Sequence, residues 1–170
     1  GWTCISVNDV VAHGVPSRDV VIKAGDIVNI DVSAVLEGYW GDTGATMIVP
    51  PIDPQKQRLL DTSQEALKAG LAVTRADQPV YEISRAIHNV IKKRGYKTFV
   101  ELGGHGVGRH IHEKPTIPNH FARRARQKLQ DGMVITIEPF VNNGKGRIFT
   151  DDDEWTLRTT DGSLSAQFEH

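Results

Sequence analysis

Four acidic side chains interrupt apolar, strand-like segments of this sequence, and they constrain the fold more than any other feature. Burying an unpaired carboxylate is costly, so an apolar strand does not normally carry one. Either these side chains face water, or the fold brings them together around cations. The four are Asp31 in residues 27–36, Asp42 in residues 39–49, Glu138 in residues 132–141 and Glu169 in residues 164–170.

The first two of these segments are expected to form a β-hairpin around a turn at residues 37 and 38. If the turn is centred between Leu36 and Glu37, Asp31 and Asp42 lie directly opposite each other, with Cβ atoms about 5 Å apart. Two like charges so close destabilise the hairpin unless a cation lies between them, which predicts a metal site. A β-bulge would change this register, and two independently solvated aspartates are the alternative interpretation.

Residues 103–113 form a glycine-rich segment that carries three histidines, and this segment is expected to be an active-site loop. Glycine permits positive φ angles and a close approach of the backbone to a ligand. The glycines lie at positions 103, 104, 106 and 108. Within the loop, His105 and His112 are available as a metal ligand and a proton donor. The alternative is a glycine-rich surface turn with solvated histidines.

The remaining sequence predicts a scaffold of helices and further strands within one domain, residues 1–170. Apolar periodicity favours helices over residues 55–75 and 80–94, and a strand over residues 97–102 is expected to lead into the histidine loop. A second hairpin is expected between residues 147–149 and 155–157. The acidic turn at 151–154 between them lacks the residue order of an EF-hand, so we interpret it as a solvated turn.

Charge and composition exclude some classes of function. The net charge is −1, so no overall field favours nucleic acid or an anionic membrane. A basic run is interpreted as a solvated helix face and comprises Arg123, Arg124, Arg126 and Lys128. The single cysteine, Cys4, excludes an internal disulfide, and without a signal peptide or long apolar segment a cytoplasmic setting is favoured. Because both ends fall within strand-like segments, we expect a fragment of a longer polypeptide.

The four carboxylates and one of the histidines would provide five metal ligands. Four charges of −1 offset two divalent ions, which leaves a site that can be buried. Zinc fingers are excluded because they need several thiolates. A carboxylate-rich shell with one imidazole suits Mn, Fe(II), Co or Zn.

With these residues, the chain resembles the type I methionine aminopeptidases, metallopeptidases of the pita-bread fold. The resemblance covers nearly the whole chain in the family's order, through residues 11–16, 25–32, 38–43, 104–113, 136–139 and 163–170. It implies an α+β fold in which helices cover the convex side of a curved antiparallel sheet. It also implies removal of the N-terminal methionine from peptides and nascent proteins when the second residue is small, by a hydroxide held between two divalent ions.

The resemblance assigns roles residue by residue. The implied metal ligands are Asp31, Asp42, His105, Glu138 and Glu169. The implied catalytic residues are His13, His112 and Glu138, with Glu138 as general base, His112 as donor to the oxyanion and His13 on the scissile amide. The implied substrate-binding residues are Cys4, His13, Ile111, His112 and Trp155. A monovalent cation is implied beside Asn8, Val10 and Ser165.

Some features of the sequence depart from the family. Trp40, Ala12 and Gly103 stand where other residues are usual, which concerns the substrate pocket. The family's N-terminal pocket segment and last short strand are not in this sequence, so a raised KM is expected.

We expect a monomer that acts on peptide or nascent-chain N-termini, with ribosome association but without specific nucleic acid or membrane binding. The alternatives are an Xaa-Pro dipeptidase-like member and a metal-free pita-bread binding module.

Overall fold

The computed structural model describes the backbone of residues 2–170 and the side chains of residues 3–170. Ten strands and two helices occur in these residues, and the sheets are antiparallel. In chain order they are β1 (Trp2–Val7), β2 (Val10–Ala12), β3 (Ile27–Leu36), β4 (Tyr39–Ile48), α1 (Pro54–Val73), α2 (Val80–Lys93), β5 (Gly103–Gly106), β6 (Glu113–Pro118), β7 (Phe140–Asn142), β8 (Ile148–Thr150), β9 (Leu157–Thr159) and β10 (Ser165–Gln167).

The predicted hairpin is present as β3–β4, but its predicted register is wrong. Glu37 and Gly38 have φ angles of 52° and 82°, and positive φ at both central residues is the signature of a two-residue hairpin turn. The turn is therefore centred one residue later than expected. Asp42 pairs with Ser33, and Asp31 pairs with Gly44. Because Asp31 lies two residues before Ser33, both aspartates still lie on the same face of the sheet, as diagonal neighbours.

The remaining strands form smaller antiparallel sheets. β1 adds to the outer side of β3, while β10 pairs with β7, β5 with β6, and β9 lies between β2 and β8. The second predicted hairpin is confirmed, with Phe149 opposite Arg158. The expected curved sheet is thus divided into four short sheets, whose strand ends supply several of the side chains described below.

Both predicted helices are confirmed within two residues of their expected ends. Asp53 caps α1, because its side chain accepts hydrogen bonds from the backbone amides of Gln55 and Lys56. α2 ends just before Gly95, whose φ is 82°. Neither helix combines the length and the apolar character that crossing a bilayer requires. Apolar residues of α1, α2 and the strands beneath them share one core, which includes Leu59, Ile83, Ile87, Ile91, Ile137 and Val141.

Two local predictions are wrong. Residues 98–102 form no strand: only Lys97 bridges to Asn142, after which the chain turns with Phe99 buried and Val100 exposed. The basic run is exposed but not helical. Its backbone instead accepts hydrogen bonds from the first amides of α2, as Tyr81 donates to the carbonyl of Ala125. These carbonyls satisfy helix amides that have no partner within the helix.

Candidate metal centre

Acidic side chains and one histidine lie together in the lining of one cavity. Asp42, His105 and Glu169 each offer one ligand atom, and these atoms all lie within 4.8 Å of one another. Nε2 of His105 lies 3.4 Å from Oε1 of Glu138 and 3.7 Å from Oδ2 of Asp42. Asp31 lines the same cavity. The structure therefore brings together all five residues that the resemblance implied as ligands.

Each of these side chains is delivered by a different segment of the fold. Asp31 and Asp42 project from β3 and β4, and His105 from β5. Glu138 lies two residues before β7. Glu169 follows β10, where its amide donates a 2.8 Å hydrogen bond to the carbonyl of Gly44. That bond ties the last carboxylate to the strand that carries Asp42.

Thr136 links His105 to Glu138. Its hydroxyl accepts a 3.0 Å hydrogen bond from the amide of His105 and donates one of 3.2 Å to Oε1 of Glu138. Nδ1 of His105 lies 2.9 Å from the carbonyl of Gly106. Since a carbonyl can only accept, Nδ1 carries the proton in this contact, and Nε2 presents a lone pair to the acidic residues.

The glycines of the histidine segment serve close packing, and the expectation of positive φ angles there is wrong. Glycines with positive φ lie elsewhere, at positions 25, 38, 95, 132, 146 and 162. A Cβ atom on Gly103, Gly104 or Gly106 would collide with a backbone carbonyl of a neighbouring segment. For Gly104 that carbonyl belongs to Thr136. The strand β5 can therefore lie against the Thr136 segment only because it lacks side chains at these positions.

Burial and mutual repulsion raise the pKa of Asp31, Glu138 and Glu169 in the metal-free protein. Burial, followed by the charge of Asp42, raises the pKa of Asp31 to about 6. Burial and the charges of Asp42 and Asp31 raise the pKa of Glu169 to about 8. Burial, followed by the charge of Glu169, raises the pKa of Glu138 well above its ordinary value. The pKa of His105 is lowered, first by burial, which favours its neutral form.

The donor set fits divalent cations. Within residues 2–170, His105 is the only basic side chain within 4.0 Å of any of the four carboxylates. Oε1 of Glu169 is buried without a hydrogen-bond partner in the same residues. Divalent cations prefer a ligand set of several oxygens and one imidazole nitrogen. These atoms lie together here, and no lysine or arginine within the described residues neutralises the acids.

The cavity above this centre has a volume of about 930 Å³. All five residues that were predicted to bind substrate line it: Cys4, His13, Ile111, His112 and Trp155. The rings of His13 and Trp155 are stacked, with centroids 4.6 Å apart and planes 20° apart. His112 meets His105 edge to face at 4.4 Å. Burial lowers the pKa of His13, so its imidazole is held in the neutral form.

Two of the residues implied for a monovalent cation, Asn8 and Ser165, are in contact, and neither is among the residues that line the cavity. The carbonyl of Asn8 accepts a 3.3 Å hydrogen bond from the amide of Ser165, and Oγ of Ser165 is buried without a partner in the described residues. The Asn8 side chain is already engaged, because it donates to Asp26 and accepts from the amide of Ile27. The backbone carbonyl of Asn8 is therefore a better candidate than its side chain for contact with an ion.

Sequence reasoning missed three polar side chains that support the acidic residues, namely Ser33, Thr136 and Gln167. Each lies two positions from a predicted ligand: Ser33 follows Asp31, Thr136 precedes Glu138, and Gln167 precedes Glu169. In an extended segment, residues two apart project to the same face. That spacing was the available signal.

The family model described as "Metallopeptidase family M24" matches residues 1–170 of this chain. The chain is 43% identical to a methionine aminopeptidase of Aquifex aeolicus, over 98% of this chain and 66% of that protein. It is 42% identical to the methionine aminopeptidase of Escherichia coli K12, over 98% of this chain and 63% of that protein. The chain therefore spans less than two thirds of the length of either relative.

Solved structures show the same architecture. A crystal structure of methionine aminopeptidase from Thermotoga maritima superposes with a TM-score of 0.95 and 38% identity, covering 99% of this chain and 68% of that one. The prolidase of Pyrococcus furiosus gives a TM-score of 0.78 and 27% identity, covering 98% of this chain and 44% of that one.

Proposed function

The chain belongs to metallopeptidase family M24, and from that premise we propose that it is the catalytic part of a methionine aminopeptidase. The proposed reaction is removal of the N-terminal methionine from peptides and nascent proteins whose second residue is small. The observation that carries this proposal is that the five implied ligands line one cavity together with His13 and His112. Prolidase, the nearest alternative, is less similar in both sequence and fold.

We infer that two divalent ions, Mn, Fe(II), Co or Zn, are held by Asp31, Asp42, His105, Glu138 and Glu169. When bound, such ions polarise a substrate carbonyl and lower the pKa of water so that it can act as the nucleophile. A monovalent cation beside Asn8, Val10 and Ser165 is inferred to have a structural role, since these residues do not line the cavity.

Glu138 is the proposed general base. As the base, its carboxylate would accept a proton from the nucleophile. The hydrogen bond from Thr136 holds Oε1 in place. Glu138 would then deliver the proton to the amine that leaves.

His13 and His112 are the proposed hydrogen-bond donors to the reacting amide. His112 lies at the cavity wall against His105, and a donor in this position would stabilise the oxyanion of the tetrahedral intermediate. The stack on Trp155 fixes the plane of the His13 ring. A neutral His13 would use its N–H to hold the scissile amide.

The cavity wall supports a preference for methionine. Cys4, Ile111 and Trp155 give a mainly apolar lining, and the flexible thioether of methionine fills such irregular apolar spaces well. By resemblance to the family, His13 and the segment around His112 are expected to narrow the space beyond the scissile bond, so the residue after methionine should be small. We further infer a cytoplasmic monomer that meets its substrates at or near the ribosome.

A peptide panel tests the proposal. The 170-residue chain, loaded with Mn²⁺ or Co²⁺, should release methionine from Met-Gly and Met-Ala peptides and act poorly on Met-Lys peptides. Equal cleavage of Leu-Gly and Met-Gly peptides would refute the methionine assignment but leave a metalloaminopeptidase. Cleavage restricted to Xaa-Pro dipeptides would identify a prolidase instead. Asp42→Asn serves as the inactive control for contaminating peptidases.

A further inference from the structure

Gln167 is a buried amide that contacts the acidic centre without belonging to it. It lies in β10, two residues before Glu169, and is only 1% exposed. Its side chain extends between Asn29 of β3 and Glu169. A buried amide requires partners for both its oxygen and its nitrogen, and here each partner is a different polar side chain.

The orientation of this amide is fixed from the side of Asn29. Nδ2 of Asn29 donates a 2.7 Å hydrogen bond to Oε1 of Gln167 and a 3.1 Å one to Oγ1 of Thr46. The Thr46 hydroxyl in turn donates to the carbonyl of Gln167 at 2.6 Å. A flipped amide would place an N–H group against the N–H group of Asn29, so the network selects one orientation.

In that orientation, Nε2 of Gln167 donates a 2.9 Å hydrogen bond to Oε2 of Glu169. The other carboxylate oxygen, Oε1, is buried and has no partner within the described residues. The two oxygens of Glu169 are therefore not equivalent. One is held by the protein, and the other remains available to a ligand.

Gly44 leaves the space that this arrangement needs. A Cβ atom at position 44 would collide with the amide group of Gln167. Gly44 also receives the backbone hydrogen bond from Glu169 and lies opposite Asp31. A glycine at this crossing thus allows the Gln167 amide to reach the carboxylate.

We propose that Gln167 is a positioning residue that acts through Glu169, holding Oε2 so that Oε1 faces the cation. This inference rests on the proposed function, because it needs a divalent cation at the acidic centre. Neighbours that orient a ligand typically contribute a factor of about 10 to 100 in metal affinity. Gln167 itself would touch neither the cation nor the substrate.

The test compares Gln167→Met with a matched control, Asn142→Leu. Both changes remove a fully buried amide from paired strands, but the side chain of Asn142 bonds to Ser163 and Leu164 and contacts none of the acidic residues. Mn²⁺ affinity is measured by calorimetry, and the melting temperature is measured in chelator. We expect both variants to lower the melting temperature, and only Gln167→Met to weaken Mn²⁺ binding, by about 10- to 100-fold.

Equal Mn²⁺ affinity of Gln167→Met and the wild type would overturn the proposal. Gln167→Asn, whose amide is one methylene too short to reach Glu169, should reproduce the loss with a polar side chain. If neither variant folds, NMR of the wild-type protein provides the test. The side-chain amide protons of Gln167 should exchange slowly with solvent, and their resonances should shift when Zn²⁺ is added. The resonances of the Asn142 side-chain amide should not shift. Failure of the wild type to bind Mn²⁺ would instead refute the proposed function.

Discussion

The hydroxyl of Ser33 donates a 2.8 Å hydrogen bond to Oδ1 of Asp42, the residue directly opposite it in the β3–β4 hairpin. Oδ2 of the same carboxylate points toward His105. Glu169 follows the same pattern, with one oxygen held by Gln167 and the other without a protein partner. The protein therefore fixes the direction of at least two carboxylates before any cation arrives, which reduces the ordering that binding requires.

Metal content should depend on Asp42. We expect Asp42→Ala to bind less Mn²⁺ than the wild type, because Asp42 supplies one atom to the group formed with His105 and Glu169. Asp131→Ala removes an exposed carboxylate from a turn and serves as the control. Elemental analysis after dialysis gives the stoichiometry, and an unchanged value for Asp42→Ala would refute its assignment as a ligand.

His112 should matter for catalysis more than for metal binding. A donor to the oxyanion acts mainly in the transition state, so we expect His112→Ala to lower kcat by about 10²- to 10³-fold while the bound metal is retained. His110→Ala is the control, since His110 is exposed in the same segment and does not line the cavity. Parallel loss of metal and activity in His112→Ala would make His112 a ligand instead.

Metal-free protein should become less stable as the pH rises. The folded state binds protons more tightly than the unfolded chain wherever a carboxyl pKa is raised, so the free energy of unfolding falls between the ordinary and the raised pKa. That window runs from 3.8 to about 6 for Asp31 and from 4.5 to about 8 for Glu169. The lowered pKa of His105 opposes this trend below pH 6.5, the ordinary pKa of histidine. The clearest decline in the free energy of unfolding is therefore expected between pH 6.5 and about pH 8.

Melting temperatures in chelator across this range test the expectation, and Glu169→Gln should flatten the decline. Added Mn²⁺ should reverse the slope, because the cation binds the deprotonated carboxylates and competes with protons at lower pH. A melting temperature in chelator that rises from pH 6.5 to pH 8 would contradict the raised pKa values.

Gly104 should be intolerant of a side chain. A Cβ atom there meets the carbonyl of Thr136, and relieving such a collision typically costs about 1–3 kcal/mol. Gly41→Ala is the control, since nothing lies within 4 Å of its Cβ position, and we expect its effect to stay within about 0.5 kcal/mol. Urea unfolding measures both. The same destabilisation in the two variants would mean that the packing of β5 is not the cause.

The sequence was sufficient to predict the family, the α+β pita-bread fold, both helices and the convergence of the acidic residues. Carboxylates in apolar segments indicate that the acidic residues lie together, and this prediction does not depend on exact strand positions. It was therefore unaffected by the error in the register of the β3–β4 hairpin. The metal roles themselves remain proposals. The resemblance added the implied roles of His13, His105 and His112, which composition and spacing alone left open.

The errors have local physical causes. The register depended on whether Glu37 adopts positive φ, which is uncommon for a residue other than glycine. The glycines at 103, 104 and 106 were explained by backbone freedom, whereas Gly103 and Gly106 lie close to the paired strand β6, and Gly104 lies close to Thr136, which is distant in sequence. In the same way, Gln167 could not be connected to Asn29 without knowing how β10 lies against β3 and β4. Sequence patterns report local geometry well, and contacts between distant segments poorly.

The bond between Asn29 and Gln167 joins residues 138 positions apart. The acidic residues of the centre are likewise spread along the chain, from Asp31 to Glu169. During synthesis, the first pair of acids is made long before Glu138 and Glu169. Until these later residues emerge, a partly made chain offers only an incomplete chelate formed by one hairpin. Tight cation binding therefore requires that this region has folded completely. In chains stalled on the ribosome at increasing lengths, metal binding should appear abruptly once residue 169 can pair with β4.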